Sequence, residues 1–136
     1  MIVWNDNYGT GVKTVDDQHK LLILHINQLE NLLKNQRPDS KDVSLFYTVS
    51  QFLEQYADMH FKFEEQCMES YRCPMHAKNK EQHAQFSDTI KRFNQRINAE
   101  GFNIEAFDEL HRFTSSWITS HILRVDTQLI SCVKHG

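Results

Sequence analysis

The feature of this 136-residue chain that most constrains its fold is a set of four apolar stripes, each repeated at steps of three and four residues. That spacing puts the members of a stripe on one face of an α-helix. The chain has only four glycines and two prolines, so we expect long helices joined by short connections. The fold class predicted is all-α: a single domain, residues 1–136, built as an antiparallel up-down four-helix bundle. The predicted helices cover about residues 17–36, 41–71, 75–98 and 104–133.

The first sixteen residues lack this pattern, and we predict that 1–16 form an irregular N-terminal arm on the bundle. They also lack the basic segment and apolar stretch of a signal peptide. No part of the chain approaches the roughly 18 consecutive apolar residues that suggest a membrane span. The net charge of −3 disfavours nucleic-acid binding, because the chain has no basic run to neutralise phosphates.

The cysteines Cys67, Cys73 and Cys132 are odd in number and include no C-x-x-C pair. We interpret them as packing or surface thiols, with no role as metal ligands or redox switches. Together with the missing signal peptide, this interpretation favours a reducing, cytoplasmic location.

Every apolar stripe contains a histidine, namely His19, His60, His83 and His121. Each lies about 18 to 22 residues from the turns expected near one end of the bundle, so all four should meet at a depth of about 30 Å. Burying four imidazoles without a common partner would cost a few kcal/mol for each unpaired polar group. A shared metal site is the hypothesis that removes this cost. A metal-free structural bundle is the alternative.

Two carboxylates accompany these histidines. Glu64 follows His60 by one helical turn and lies on the same face. Asp126 follows His121 by five residues, an offset that requires either a long side-chain reach or a local distortion of the helix. Imidazole and carboxylate ligands suit iron or another first-row transition metal better than magnesium or calcium. Two carboxylates among several histidines also suit a pair of metals that both carboxylates bridge.

The chain resembles the hemerythrins, specifically the single-domain bacterial ones, over nearly its whole length. The matching segments are W-N-D-N-Y-G-T-G-V, V-D-D-Q-H-K-L-L, H-F-K-F-E-E-Q-C-M, Q-H-A-Q-F and W-I-T-S-H-I-L-R-V-D. The resemblance implies a non-heme di-iron centre in which His19 and His60 hold the iron that is open to oxygen. It also implies that Glu64 and Asp126 bridge the two irons, and that His83 and His121 hold the second iron.

The family's third histidine on the second iron lies four residues before His83, where this chain has Asn79. Three interpretations remain open. Asn79 coordinates weakly through its amide oxygen or leaves its position to water; His76, one turn earlier, replaces it; or the second site is weak enough that one metal, or another metal, is bound. An amide donates less strongly than imidazole, so weaker binding of the second iron is expected.

The resemblance further implies reversible binding of O2 or another small diatomic ligand, for carriage, storage or sensing. A dry lining for the oxygen pocket is predicted from Phe63, Phe86, Trp117 and Ile122, which neighbour the expected ligands in sequence. One alternative is an oxidase, peroxidase or nitric-oxide-handling enzyme with one or two irons. It is disfavoured by the lack of any E-x-x-H motif. Another alternative is a sensor or iron-holding module that acts through a protein partner, whose nature the sequence does not reveal.

Overall fold

Four long helices make up most of the described chain, which comprises residues 1–35 and 37–135 of a computed structural model. α1 packs against α2 and α4, α2 against α3, and α3 against α4. The predicted all-α four-helix bundle is confirmed, and the described residues contain no strand. No helix within these ranges has both the length and the apolar character needed to cross a membrane. The long helices are α1 (Lys13–Leu33), α2 (Ser40–Ser70), α3 (His76–Glu100) and α4 (Ile104–Arg124).

The N-terminal arm is shorter than the predicted 1–16, because α1 already begins at Lys13. Thr10 fixes this early start: its backbone N–H and its hydroxyl donate to Oδ1 of Asp16 at 2.9 and 2.8 Å. These bonds tie the chain entering α1 to the helix's first turn. Gln36, the last residue of the predicted first helix, lies outside the described residues.

Side-chain hydrogen bonds cap the N-termini of the second and fourth helices. The backbone N–H of Asp42 donates to Oδ1 of Asp39 at 2.8 Å, and the N–H of Asp39 donates back to Oδ2 of Asp42 at 3.2 Å. This reciprocal capping box satisfies two backbone donors at the start of α2. The side chain of Asn103 accepts from the N–H of Glu105 at the start of α4. Gly101, with a φ of 84°, ends α3 in a conformation that favours glycine.

The predicted continuous helix over 104–133 is wrong, since α4 ends at Arg124. A 3₁₀ turn over Asp126–Gln128 and a short helix, α5 (Leu129–His135), follow. In an unbroken helix, residues five apart would point about 140° away from each other. The break returns Asp126 to the inside of the bundle, where it is 1% exposed. Of the two possibilities raised by the offset between His121 and Asp126, side-chain reach or a local distortion, the structure has the distortion.

The cysteine interpretation is also wrong for two of the three residues, because Cys73 and Cys132 form a disulfide. Their Cα atoms lie 5.4 Å apart, within the range that such a bond requires. Cys73 precedes α3 and Cys132 lies on α5, so only the packing of the C-terminal segment brings them together. Cys67 is a half-buried free thiol. The argument from cysteines for a reducing, cytoplasmic location therefore loses its support.

Two apolar clusters lie on either side of a buried polar layer. Along α1, for example, Val15 belongs to the smaller cluster, His19 to the polar layer and Leu22 to the larger cluster. The same succession follows α2, and it continues from α4 into Val125 just past that helix. The polar layer is thus enclosed by apolar side chains above and below, and its groups must satisfy one another or bind a ligand. The smaller cluster consists of Val15, Met68, Cys73, Val125 and Leu129.

Candidate metal centre

The polar layer brings together the six side chains that the sequence singled out on all four long helices and the turn after α4. They form two groups whose ligand atoms lie within 4.8 Å of one another, and every member is buried. Both groups contain the same two carboxylates, Glu64 and Asp126. The groups are His19, His60, Glu64 and Asp126, and Glu64, His83, His121 and Asp126.

Glu64 presents one carboxylate oxygen to each group. Its Oε2 lies 3.0 Å from Nε2 of His19 and 3.2 Å from Nε2 of His60. Its Oε1 lies 3.4 Å from Nε2 of His83. Glu64 lies on α2 one turn after His60 and faces both α1 and α3. Each of its oxygens can therefore reach a different group.

Asp126 divides its oxygens in the same way. Its Oδ2 lies 3.0 Å from Nε2 of His19, and its Oδ1 lies 3.0 Å from Nε2 of His121. Each carboxylate therefore spans the two groups. This is the arrangement expected of carboxylates that bridge a pair of cations.

Three of the histidines have their outer nitrogen, Nδ1, against an oxygen of a neighbouring helix. Nδ1 of His60 lies 2.6 Å from Oε1 of Gln18, and Nδ1 of His121 lies 2.7 Å from Oε1 of Gln82. Nδ1 of His83 lies 3.2 Å from Oε2 of a further carboxylate, Glu65. These oxygens only accept hydrogen bonds, so Nδ1 carries the proton and the Nε2 lone pair points inward. Sequence reasoning missed all three partners, although each directly adjoins an expected ligand in the sequence.

The bonding inside the layer fits a cationic group. Nε2 of His83 and Nε2 of His121 lie 3.1 Å apart, although two lone pairs at that distance repel each other. Neither oxygen of Asp126 has a hydrogen-bond partner among the described residues, and both are buried. A single Nε2 hydrogen on His19 cannot serve both Glu64 and Asp126. Cations between these atoms would satisfy the lone pairs and both carboxylates together.

The local electrostatics keep Glu64 charged. Burial acts to raise the pKa of Glu64, but contacts with Asp126 and with three histidines outweigh burial and hold that pKa well below its usual value. Burial lowers the pKa of His19, but the carboxylates of Asp126 and Glu64 outweigh it and raise the pKa to about 10. Burial dominates at His60 and lowers its pKa. The layer is therefore a concentration of negative charge and imidazole nitrogen in a dry interior, which is suited to a transition metal.

Asn79 and His76 differ clearly in their positions. Asn79 is fully buried in the layer: its Nδ2 donates to Oε1 of Glu64 at 2.9 Å, and its Oδ1 lies 2.7 Å from Nε2 of His121. The amide oxygen thus faces the second group. His76 is the first residue of α3, is half-buried, and belongs to neither group of potential ligands within the described residues.

The predicted pocket lining is only partly beside the histidines. The ring of Trp117 stacks on His121 with centroids 4.3 Å apart, and Phe86 lies 4.5 Å from Trp117. Ile122 is fully buried in the larger apolar cluster. Phe63 packs instead against the smaller cluster.

The aromatic residue that sequence reasoning missed is Phe61, which stacks on His83 at 3.9 Å with 8° between the ring planes. Its place directly after His60, in H-F-K-F-E, is the one signal that could have suggested it. An open cavity of about 620 Å³ between α3 and α4 reaches this side of the layer, and Gln82, Trp117 and His121 contribute to its wall.

Comparisons with known proteins agree with this geometry. A family model described as the Hemerythrin HHE cation binding domain matches residues 10–133. The bacteriohemerythrin of Pseudomonas aeruginosa is 28% identical over 135 residues, covering 99% of this chain and 83% of that protein. The bacteriohemerythrin of Clostridium acetobutylicum is 28% identical over 131 residues, covering 96% of this chain and 99% of that protein.

A solved wild-type hemerythrin structure superimposes with a TM-score of 0.82 at 25% identity, covering 98% of each chain. The family match extends from the arm to α5 and includes every residue of the two groups. The chain therefore is a metal-binding four-helix bundle that belongs to the hemerythrin family.

Proposed function

We propose that this chain is a single hemerythrin domain that binds two iron ions in the polar layer and reversibly binds O2 there. The observation that carries the proposal is that two groups of potential ligands share both of their carboxylates. In this proposal His19 and His60 hold the first iron, and His83 and His121 hold the second. Glu64 and Asp126 would hold both irons, and the amide oxygen of Asn79 would lie on the side of the second.

When bound, a pair of ferrous ions supplies the two electrons that reversible O2 binding by this kind of centre requires. The protein residues orient and protect the centre. Gln18 and Gln82 accept from Nδ1 of His60 and His121, and so direct each Nε2 toward the metals. Apolar clusters above and below the layer limit water, which would otherwise promote irreversible oxidation.

A second candidate function is an oxidase, peroxidase or nitric-oxide-handling activity. Asn79 is the observation that favours it, because an amide binds iron more weakly than the imidazole found in the family pattern. A more weakly held second iron is easier for water or another ligand to approach. Such a site would turn over O2 or peroxide where a carrier would release O2 unchanged.

The deciding experiment begins with anaerobic loading with ferrous iron, removal of the excess, and measurement of iron per chain. The loaded protein is then exposed to O2, returned to argon and followed by its visible spectrum through several cycles, with hydrogen peroxide assayed in parallel. Close to two irons and a spectrum that returns after each cycle support the carrier. Close to one iron overturns it, and rapid loss of the spectrum with peroxide release supports the oxidase. His60→Ala is the control, since it removes a proposed ligand of the first iron.

A further inference from the structure

We propose that Glu65 is a positioning residue for the second metal, acting through His83 and offsetting the weak ligand Asn79. The inference rests on the proposed function, because it requires two metal positions. Glu65 directly follows Glu64 on α2 but points to the outer edge of the layer. Its Oε2 lies 3.2 Å from Nδ1 of His83, and its side chain is 19% exposed.

The ring of His83 is held on two sides. Phe61 stacks on its face at 3.9 Å, and Glu65 accepts from its outer nitrogen. Rotating the ring would break the hydrogen bond and the stacking contact together. His83 is therefore fixed with Nε2 directed at Oε1 of Glu64, 3.4 Å away.

The four histidines differ in the charge of their outer partners. His60 and His121 face the neutral amides of Gln18 and Gln82, and Nδ1 of His19 has no hydrogen-bond partner among the described residues. Within that part of the chain, a carboxylate contacts Nδ1 at His83 alone. A charged acceptor makes a stronger hydrogen bond than an amide does, and it increases the donor strength of the imidazole at Nε2.

The charged partner belongs to the second group, the one that Asn79 faces. If Asn79 supplies only an amide oxygen, the second metal receives two imidazole nitrogens in place of three. A more strongly donating His83 compensates for part of that loss. The first metal, whose histidines match the family pattern, has no such carboxylate behind them.

Neighbouring charged residues do not draw Glu65 away from His83. Both residues line a groove of about 290 Å³ between α2 and α3, together with Lys62, Lys80 and Lys91. None of these lysines forms an ion pair with Glu65 in the described structure, where its ion pair is with His83. The carboxylate is thus close enough to solvent to avoid a large desolvation cost, yet bonded to the ligand.

The test compares Glu65→Gln with Glu69→Gln. The first variant keeps the shape of the side chain and an acceptor oxygen but removes the charge. The second removes the same charge from an exposed residue one turn further along α2. Each protein is loaded with ferrous iron, and release of iron to a colorimetric chelator is followed under argon. Far-UV circular dichroism and melting of the metal-free proteins report whether the fold is retained.

We expect Glu65→Gln to release one of its two irons about 10- to 100-fold faster than the unmodified protein, with the other iron unaffected. Glu69→Gln should behave like the unmodified protein. The reduction potential of the iron pair should rise in Glu65→Gln, because removing a negative charge near one iron disfavours the ferric state. Adding Gln82→Glu to Glu65→Gln returns a charged acceptor to the same group, at His121, and should restore retention of the second iron.

Equal release of both irons and an unchanged potential in Glu65→Gln would overturn the inference and leave the proposed function intact. Failure of Gln82→Glu to restore retention would also count against it, since the effect would then not be due to charge behind a ligand. Fewer than two irons in the unmodified protein would overturn the proposed function, and the inference with it. Iron counted before any variant is made separates these two failures.

Discussion

The side-chain amide of Asn79 donates a 2.9 Å hydrogen bond to Oε1 of Glu64, the oxygen that also faces His83. Only the amide nitrogen can donate to a carboxylate, so this bond orients the amide oxygen toward His121, 2.7 Å away. The residue in place of the family's third histidine is therefore not turned out of the layer. Its amide oxygen is held beside the second group, 2.7 Å from Nε2 of His121.

Replacing Asn79 with histidine should strengthen the second metal position. We expect Asn79→His to raise affinity for the second iron about tenfold or more, which corresponds to at least about 1.4 kcal/mol. Oxidation of the loaded protein in air should be slower. Competition with a chelator measures the affinity, and the decay of the visible spectrum measures the oxidation. Asn79→Ala is the control that removes the amide without adding a ligand, and equal affinity and oxidation in all three proteins would contradict the role given to Asn79.

The sequence predicts much of the polar layer, because burial in a bundle follows the spacing of residues three and four apart. His19, His60 and Glu64 lie on such a face, and their convergence needs only straight helices. Asp126 is singled out by its place five residues after His121, and the resemblance implies its bridging role, but the break that brings it inward depends on how the C-terminal segment packs. Gln18 and His60 lie on different helices, and their contact depends on how those helices are rotated relative to each other. The spacing of residues within one helix does not predict that rotation.

Removing the disulfide should destabilise the protein and the segment that carries Asp126. The bond joins residues 59 positions apart and ties α5 to the chain before α3. We expect Cys132→Ser to lower the free energy of unfolding of the metal-free protein by about 2–5 kcal/mol, measured in urea without reductant. Cys67→Ser, at a free thiol in contact with the same apolar cluster, is the matched control and should change stability less. Equal stability of Cys132→Ser and the unmodified protein would show that the bond does not form in solution.

The stability of the metal-free protein should fall as pH rises above neutrality. The folded protein holds a proton on His19 with a pKa of about 10, against 6.5 for the ordinary group. This protonation stabilises the fold fully below pH 6.5, and the contribution is lost as pH rises through about 10. Burial lowers the pKa of His60, so the contribution of His60 to stability changes only below its ordinary pKa of 6.5.

Between about pH 7 and 9, one such proton changes the free energy of unfolding by up to about 1.4 kcal/mol per pH unit. Urea unfolding in the presence of a chelator measures this slope. His19→Gln should make it shallower without removing it, because Glu64 and Glu65 outweigh burial and raise the pKa of His83 as well. Metal loading should also reduce the slope, because a metal ion replaces the proton. A free energy of unfolding that rises with pH over this interval would contradict the raised pKa of His19.

Opening the wall beside His121 should expose the centre to water. Trp117 is half-buried, stacks on His121 and lines the cavity between α3 and α4 beside it. We expect Trp117→Ala to speed oxidation of the iron-loaded protein several-fold. It should also lower the free energy of unfolding by about 2–3 kcal/mol, less than for a fully buried aromatic residue.

Trp117→Phe retains an aromatic face against His121 and separates the two effects. It should keep slow oxidation, because the stacked ring still covers the imidazole, although it loses part of the packing area. Oxidation is followed by the visible spectrum in air, and stability by urea unfolding of the metal-free variants. If both variants oxidise at the rate of the unmodified protein, the α3–α4 cavity is not a route for water, and the apolar clusters along the bundle axis must provide the protection. If both oxidise equally fast, the indole itself is required, because the smaller phenyl ring then fails to keep water from His121.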